Sequence, residues 1–214
     1  MRQIFLHQVL PQVFAQRDDL SSDVWRTEVC FERGNSYLVE AESGMGKSTF
    51  CSYLLGYRHD YSGQISFDDA DISHFSIPQW VDVRQQQISM LFQEMRLFPE
   101  LTAWENVEIK NRLTCQIDRP TIEQWFERLG IAEKLHVKAG ILSQGQQQRV
   151  AFIRTLVQPF DFLIVDEPIS HLDDNNAQLM AEMVGEVKEK TQCGVIVTSI
   201  GKQLPLVYDK ILKL

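Results

Sequence analysis

Ser36-Tyr37-Leu38-Val39-Glu40-Ala41-Glu42-Ser43-Gly44-Met45-Gly46-Lys47-Ser48-Thr49 is the stretch on which the fold turns. A short branched run, Ser36–Val39, leads into a glycine-rich loop and then into an apolar, helix-compatible segment. Strand, loop and helix in that order are the setting of a phosphate-binding loop. Small residues let backbone N–H groups approach phosphate oxygens, and the helix N-terminus adds a favourable dipole. In that arrangement Lys47 reaches the β- and γ-phosphates, and the Ser48 hydroxyl takes one position on Mg²⁺. Ser43, Gly44, Met45, Gly46 and Thr49 complete the cradle. The pattern wants glycine where Ala41 stands; at positive φ that alanine would cost about 1 kcal/mol, elsewhere little.

Outward from the loop, three more runs read as buried strands of a parallel sheet: Ile88–Phe92, Phe160–Val165 and Gly194–Thr198. The third of these four strands ends in Asp166-Glu167. A carboxylate there can hold Mg²⁺, and its neighbour can orient or deprotonate a water, so Asp166 is assigned to the metal and Glu167 to the water. Helical patterns lie between the strands. Thr121-Ile122-Glu123-Gln124 reads as a capping box opening a helix with Trp125, Phe126 and Leu129 on one face and Gly130 as its stop. Val150, Ile153 and Val157 form a second apolar stripe, and Ala177, Met180, Val184 and Val187 a third. Strands alternating with helices predict an α/β fold.

The bulk composition fits that reading. The 214 residues suit one domain with a substantial core, 44% of them apolar and 23% charged. A net charge of −8 argues against duplex DNA or anionic lipid as the main partner, and no nucleic acid is expected. The four cysteines are scattered, which favours free thiols over a disulfide framework or a zinc site. No run approaches the roughly 18 apolar residues of a membrane helix, so a membrane role needs a partner as anchor.

Upstream of the acidic pair stands Leu142-Ser143-Gln144-Gly145-Gln146, which resembles the LSGGQ signature of ATP-binding cassette (ABC) ATPases. Ile88-Ser89-Met90-Leu91-Phe92-Gln93 is similar to the family's Q-loop, Ser170-His171-Leu172-Asp173 to its D-loop, and Phe14 falls where the family places an aromatic ring against adenine. The resemblance runs over nearly the whole chain. It implies a RecA-like P-loop NTPase core, residues 1–94 and 151–214, with an antiparallel β-subdomain at its N-terminal edge. A helical subdomain, residues 95–150, would carry the signature. It implies ATP and Mg²⁺ as ligands, with Gln93 touching both nucleotide and metal and joining Lys47 and Glu167 in catalysis. It further implies a head-to-tail homodimer or pseudo-symmetric dimer in which Ser143, Gly145 and Gln146 contact the nucleotide of the other subunit. An integral-membrane transporter subunit would dock near Gln93–Val107, placing the chain in the cytoplasm on the inner face of the membrane.

Two departures bear on activity. The middle glycine of the signature is Gln144, and the histidine the family carries after its last core strand is Ile200. Isoleucine can neither donate nor accept a hydrogen bond, so slow hydrolysis with intact ATP binding is expected. An ATP-dependent dimerisation switch with little turnover is the alternative to a transport motor. A chromosome-type ABC ATPase does not fit, because Lys47 and Ser143 are only 96 positions apart, with no room for a long coiled coil.

Overall fold

The computed structural model describes residues 1–17, 20–42, 44–169 and 173–214. Its centre is a five-stranded, all-parallel sheet in the order β6-β7-β8-β3-β9. These strands are β3 (Ser36–Glu40), β6 (Ile88–Leu91), β7 (Phe162–Asp166), β8 (Gly194–Ser199) and β9 (Lys210–Lys213). The four runs expected as strands are β3, β6, β7 and β8, each within two residues of the expected bounds. β6, β7 and β8 are buried along their whole length, as a sheet covered on both faces requires.

A second sheet is antiparallel, ordered β2-β1-β4-β5, from β1 (Gln3–Pro11), β2 (Glu28–Glu32), β4 (Tyr61–Phe67) and β5 (Ala70–Asp71). Six α-helices accompany the sheets among the described residues: α1 (Lys47–Leu54), α2 (Ile77–Asp82), α3 (Ala103–Asn111), α4 (Arg119–Arg128), α5 (Gln144–Leu156) and α6 (Asp174–Thr191).

The helix beginning expected at Thr121 lies earlier. Asp118 is the N-cap of α4, its carboxylate accepting from the Thr121 N–H at 3.0 Å, and Pro120 occupies the first turn. Proline lacks the N–H that would go unpaired there, so Asp-Arg-Pro-Thr outcompetes the later capping box. Gly130 follows α4 at φ +63°, the left-handed conformation that suits a stop. α5 runs across the expected subdomain limit at residue 150.

Strand side chains alternate between faces, and the central sheet therefore divides the apolar interior in two. Leu38, Leu163, Val165, Val195 and Val197 face a cluster with α3, α4, α5 and α6. Tyr37, Val39, Phe162, Ile164 and Ile196 face a second cluster with α1 and the antiparallel sheet.

Candidate functional site

The phosphate loop joins β3 to α1 at the carboxyl edge of the parallel sheet. Gly44 and Gly46 have φ of +84° and +98°, a region that L side chains avoid. A Cβ on Gly46 would also stand 3.0 Å from the Phe14 ring. Ala41 is not among the positive-φ residues, so the departure from glycine there carries no backbone penalty. Ser43 lies outside the described residues. Glu42 is exposed.

Lys47 is buried, and its ammonium lies 2.7 Å from Glu167 Oε1. The Gln93 amide donates to the other oxygen, Oε2, at 2.9 Å. Three residues that sequence places in separate motifs therefore meet on one carboxylate. Glu167 sits at φ +47°, just past the end of β7, and its N–H donates to the Thr198 carbonyl at 3.1 Å. A non-glycine residue held there costs about 1–3 kcal/mol, which surrounding contacts must offset.

Asp166 is buried, and the Thr198 hydroxyl donates to its Oδ1. Burial pushes the Asp166 carboxyl up, while the Thr198 hydrogen bond and the Lys47 charge pull it back. A small cavity of about 40 Å³ is lined by Ser48, Cys51, Glu94 and Asp166, among others. A hydroxyl and a carboxylate facing one space form a hard-oxygen donor pair that suits Mg²⁺, which keeps several waters and takes its remaining ligands from substrate phosphates. No group of three or more His, Cys, Asp or Glu side chains among the described residues could enclose a metal. Cys51 is packed, and burial raises its thiol well above the ordinary range.

Ser143 caps α5. Its hydroxyl accepts from the Gln146 N–H at 3.3 Å, and the Gln146 side chain accepts from the Ser143 N–H at 3.0 Å. The signature thus presents a helix N-terminus, the anion-binding end. Gln144 is exposed in the first turn with helical backbone, a conformation that needs no glycine.

Phe14 is only 5% exposed, and the Arg17 guanidinium stands 5.7 Å from its ring centroid. The ring presents no open face for stacking in this conformation, a departure from the expectation for it. Ser170 and His171 lie outside the described residues. Ile200 follows β8 at 46% exposure and lines a cavity with Ala41, Glu42, Met45 and Ser199.

Sequence reasoning passed over several supports. The Trp25 indole donates to the Met45 carbonyl at 3.2 Å. Arg154 on α5 donates to the carbonyls of Met95 and Arg96, just beyond Gln93. Gln148 on the same helix donates to the Pro168 carbonyl, one residue past Glu167. The Arg in α5 and the Trp before β2 carried no motif signal; only folded distance reveals their partners.

A family model described as ABC transporter matches residues 26–170. The chain belongs to this family. The cassette is 34% identical over 179 residues to the thiamine import ATP-binding protein ThiQ of Haemophilus ducreyi, covering 81% of each chain. It is 31% identical over 184 residues to an uncharacterised ABC transporter ATP-binding protein of Mycobacterium tuberculosis, covering 85% of this chain but 56% of that protein. The chain therefore spans just over half the length of that relative. A solved dimeric bacterial ABC transporter cassette superposes with a TM-score of 0.78 at 22% identity, over 92% of this chain and 87% of that one. The same fold is shared with a cassette solved in a post-hydrolysis state with ADP and phosphate, at a TM-score of 0.74, 23% identity, and coverage of 92% and 87%. Among the described residues no helix is long and apolar enough to cross a membrane.

Proposed function

We propose that this ABC cassette binds and hydrolyses ATP and that ATP-driven closure of a dimer powers a separate membrane subunit. The observation that carries the reading is the convergence of Lys47 and Gln93 on the Glu167 carboxylate, at 2.7 and 2.9 Å. Lys47 binds the β- and γ-phosphates, with backbone N–H groups of Gly44–Thr49 around them. Ser48, Asp166 and Gln93 would hold Mg²⁺, which would supply charge neutralisation on the transferring phosphoryl group. Glu167 orients the attacking water, with Gln93 steadying its carboxylate. Base contact through Phe14 would require Arg17 to leave the ring and the ring to become exposed.

The dimer reading rests on the exposed α5 N-terminus, where Ser143, Gly145 and Gln146 meet the partner's nucleotide. Docking of the membrane subunit near Gln93–Val107 is supported by exposed Phe98 and Tyr57 and by the Arg96 guanidinium 3.9 Å over the Phe92 ring. The domain division at residues 95–150 belongs to the same proposal, the helical part moving with the signature. Association with the inner face of a membrane follows from such a partner.

The test is ATP titration, light scattering and steady-state phosphate release on the purified chain beside Glu167→Gln. Binding, dimerisation and turnover that the variant abolishes are expected. A chain that binds no Mg-ATP at any concentration up to the millimolar range overturns the proposal.

A further inference from the structure

Trp25 is almost wholly buried beneath the phosphate loop. Its indole stands edge-on to Phe50 and Tyr53 of α1, with centroids 6.3 Å away in each case. Its backbone is fixed as well. The Ser22 hydroxyl accepts from the N–H groups of Val24 and Trp25 at 3.0 and 2.9 Å and donates to the Lys213 carbonyl at 3.2 Å. A buried indole N–H needs an acceptor, and the one it finds is the Met45 carbonyl at 3.2 Å. On the exposed side, the Arg17 guanidinium reaches the Met45 sulfur at 3.7 Å.

A trans peptide points the carbonyl of one residue and the N–H of the next in opposite directions. Anchoring the Met45 carbonyl toward the buried Trp25 therefore turns the Gly46 N–H away from the core, to the open side of the loop. Gly46 at φ +98° is free to take many orientations, so something outside the loop must choose one. We infer that Trp25 is a positioning residue for nucleotide binding: its indole N–H sets the Met45–Gly46 peptide so that the loop is already arranged for a phosphate before one arrives. Pre-set donors bind an anion without the cost of ordering them. The inference rests on the ATP-binding reading for its ligand, but the clasp itself is independent of it.

The experiment places benzothienylalanine at position 25 alone, which keeps the bicyclic shape of the indole and replaces its N–H donor with sulfur. Trp25→Phe serves as a second variant. The isostere should weaken ATP binding about five-fold, the loss of one hydrogen bond of ~1 kcal/mol. Its kcat and melting midpoint should stay close to those of the native chain. Unchanged ATP affinity overturns the inference, as does a loss matched by equal falls in kcat and melting midpoint, because that would mark a purely structural ring. Hydrogen exchange of the Gly44–Phe50 amides without nucleotide separates the two readings. Faster exchange in the isostere supports the clasp and equal exchange overturns it, even if the native chain proves unable to bind ATP, a result that defeats only the ATPase reading.

Discussion

Lys47 and Glu167 hold each other, ammonium to carboxylate at 2.7 Å, although the proposed mechanism gives one to the phosphates and the other to the water. In the proposed mechanism an arriving triphosphate draws Lys47 away from Glu167, while Gln93 keeps its hydrogen bond to the carboxylate. Replacing Glu167 by Gln preserves size but removes the charge and one of the two acceptor oxygens. ATP affinity should hold or rise, while phosphate release falls about 10²–10⁴-fold, the range for losing a general base. A turnover within a few-fold of native would remove Glu167 from the chemistry.

Ile200→His should speed hydrolysis. The side chain is 46% exposed beside Ala41 and Met45, so a histidine meets no packing obstacle. Restoring a preorganised donor is expected to raise kcat ten-fold or more, against the ~10²–10³ usually lost when one is removed. Stopped-flow phosphate detection on both proteins decides it.

Gly46→Ala should abolish ATP binding while leaving a folded protein. The added methyl combines positive φ with a 3.0 Å approach to Phe14, and both strain the same peptide. Calorimetric titration with Mg-ATP, beside a melting curve, measures each part.

Arg154→Ala should lower kcat while leaving the KM for ATP nearly unchanged. Its guanidinium clamps the carbonyls of Met95 and Arg96, two residues held at φ +60° and +52° and separated from Gln93 only by Glu94. Without the clamp that turn relaxes and Gln93 loses its bearing on Glu167, whereas the phosphate loop is untouched. A stability loss of about 1–3 kcal/mol should accompany it in denaturant unfolding.

Lys110 supplies a pH signature. Burial, with the Arg154 charge acting in the same direction, pushes its ammonium down to about 7, while its Nζ reaches the Ser89 hydroxyl at 3.2 Å. Unfolding restores the ordinary value near 10.4, so from about pH 7 to 10 the unfolded chain binds more protons than the folded one. That difference makes the Lys110 contribution to stability rise with pH across the window. Lys110→Met should flatten the rise in urea unfolding between pH 7 and 9; parallel curves would disprove the burial effect.

Much of this was legible before folding. β3, β6, β7 and β8 announced themselves as short branched runs, and Lys47, Asp166, Glu167 and Ser143 stand at the element ends their motifs require. What escaped has one physical character. Trp25, Arg154 and Gln148 act through side-chain donors on backbone carbonyls that are 20, 58 and 20 residues away in sequence. Any carbonyl can accept, so such a bond leaves no residue pattern on the acceptor's side. Asp118 was missed because two caps compete within four residues, and Pro120 settles the contest only through its missing N–H.

The division of the interior by the central sheet sets how the molecule can come apart. Signature and phosphate loop rest on separate apolar reservoirs, so local opening of the helices should proceed as its own cooperative event beneath the global unfolding threshold. Amides of α3 and α4 would then exchange as one class and those of α1 and β1 as another. Mutational drift in one reservoir can retune how readily the signature swings without eroding the grip on nucleotide, giving natural variation two independently adjustable parts within one short chain.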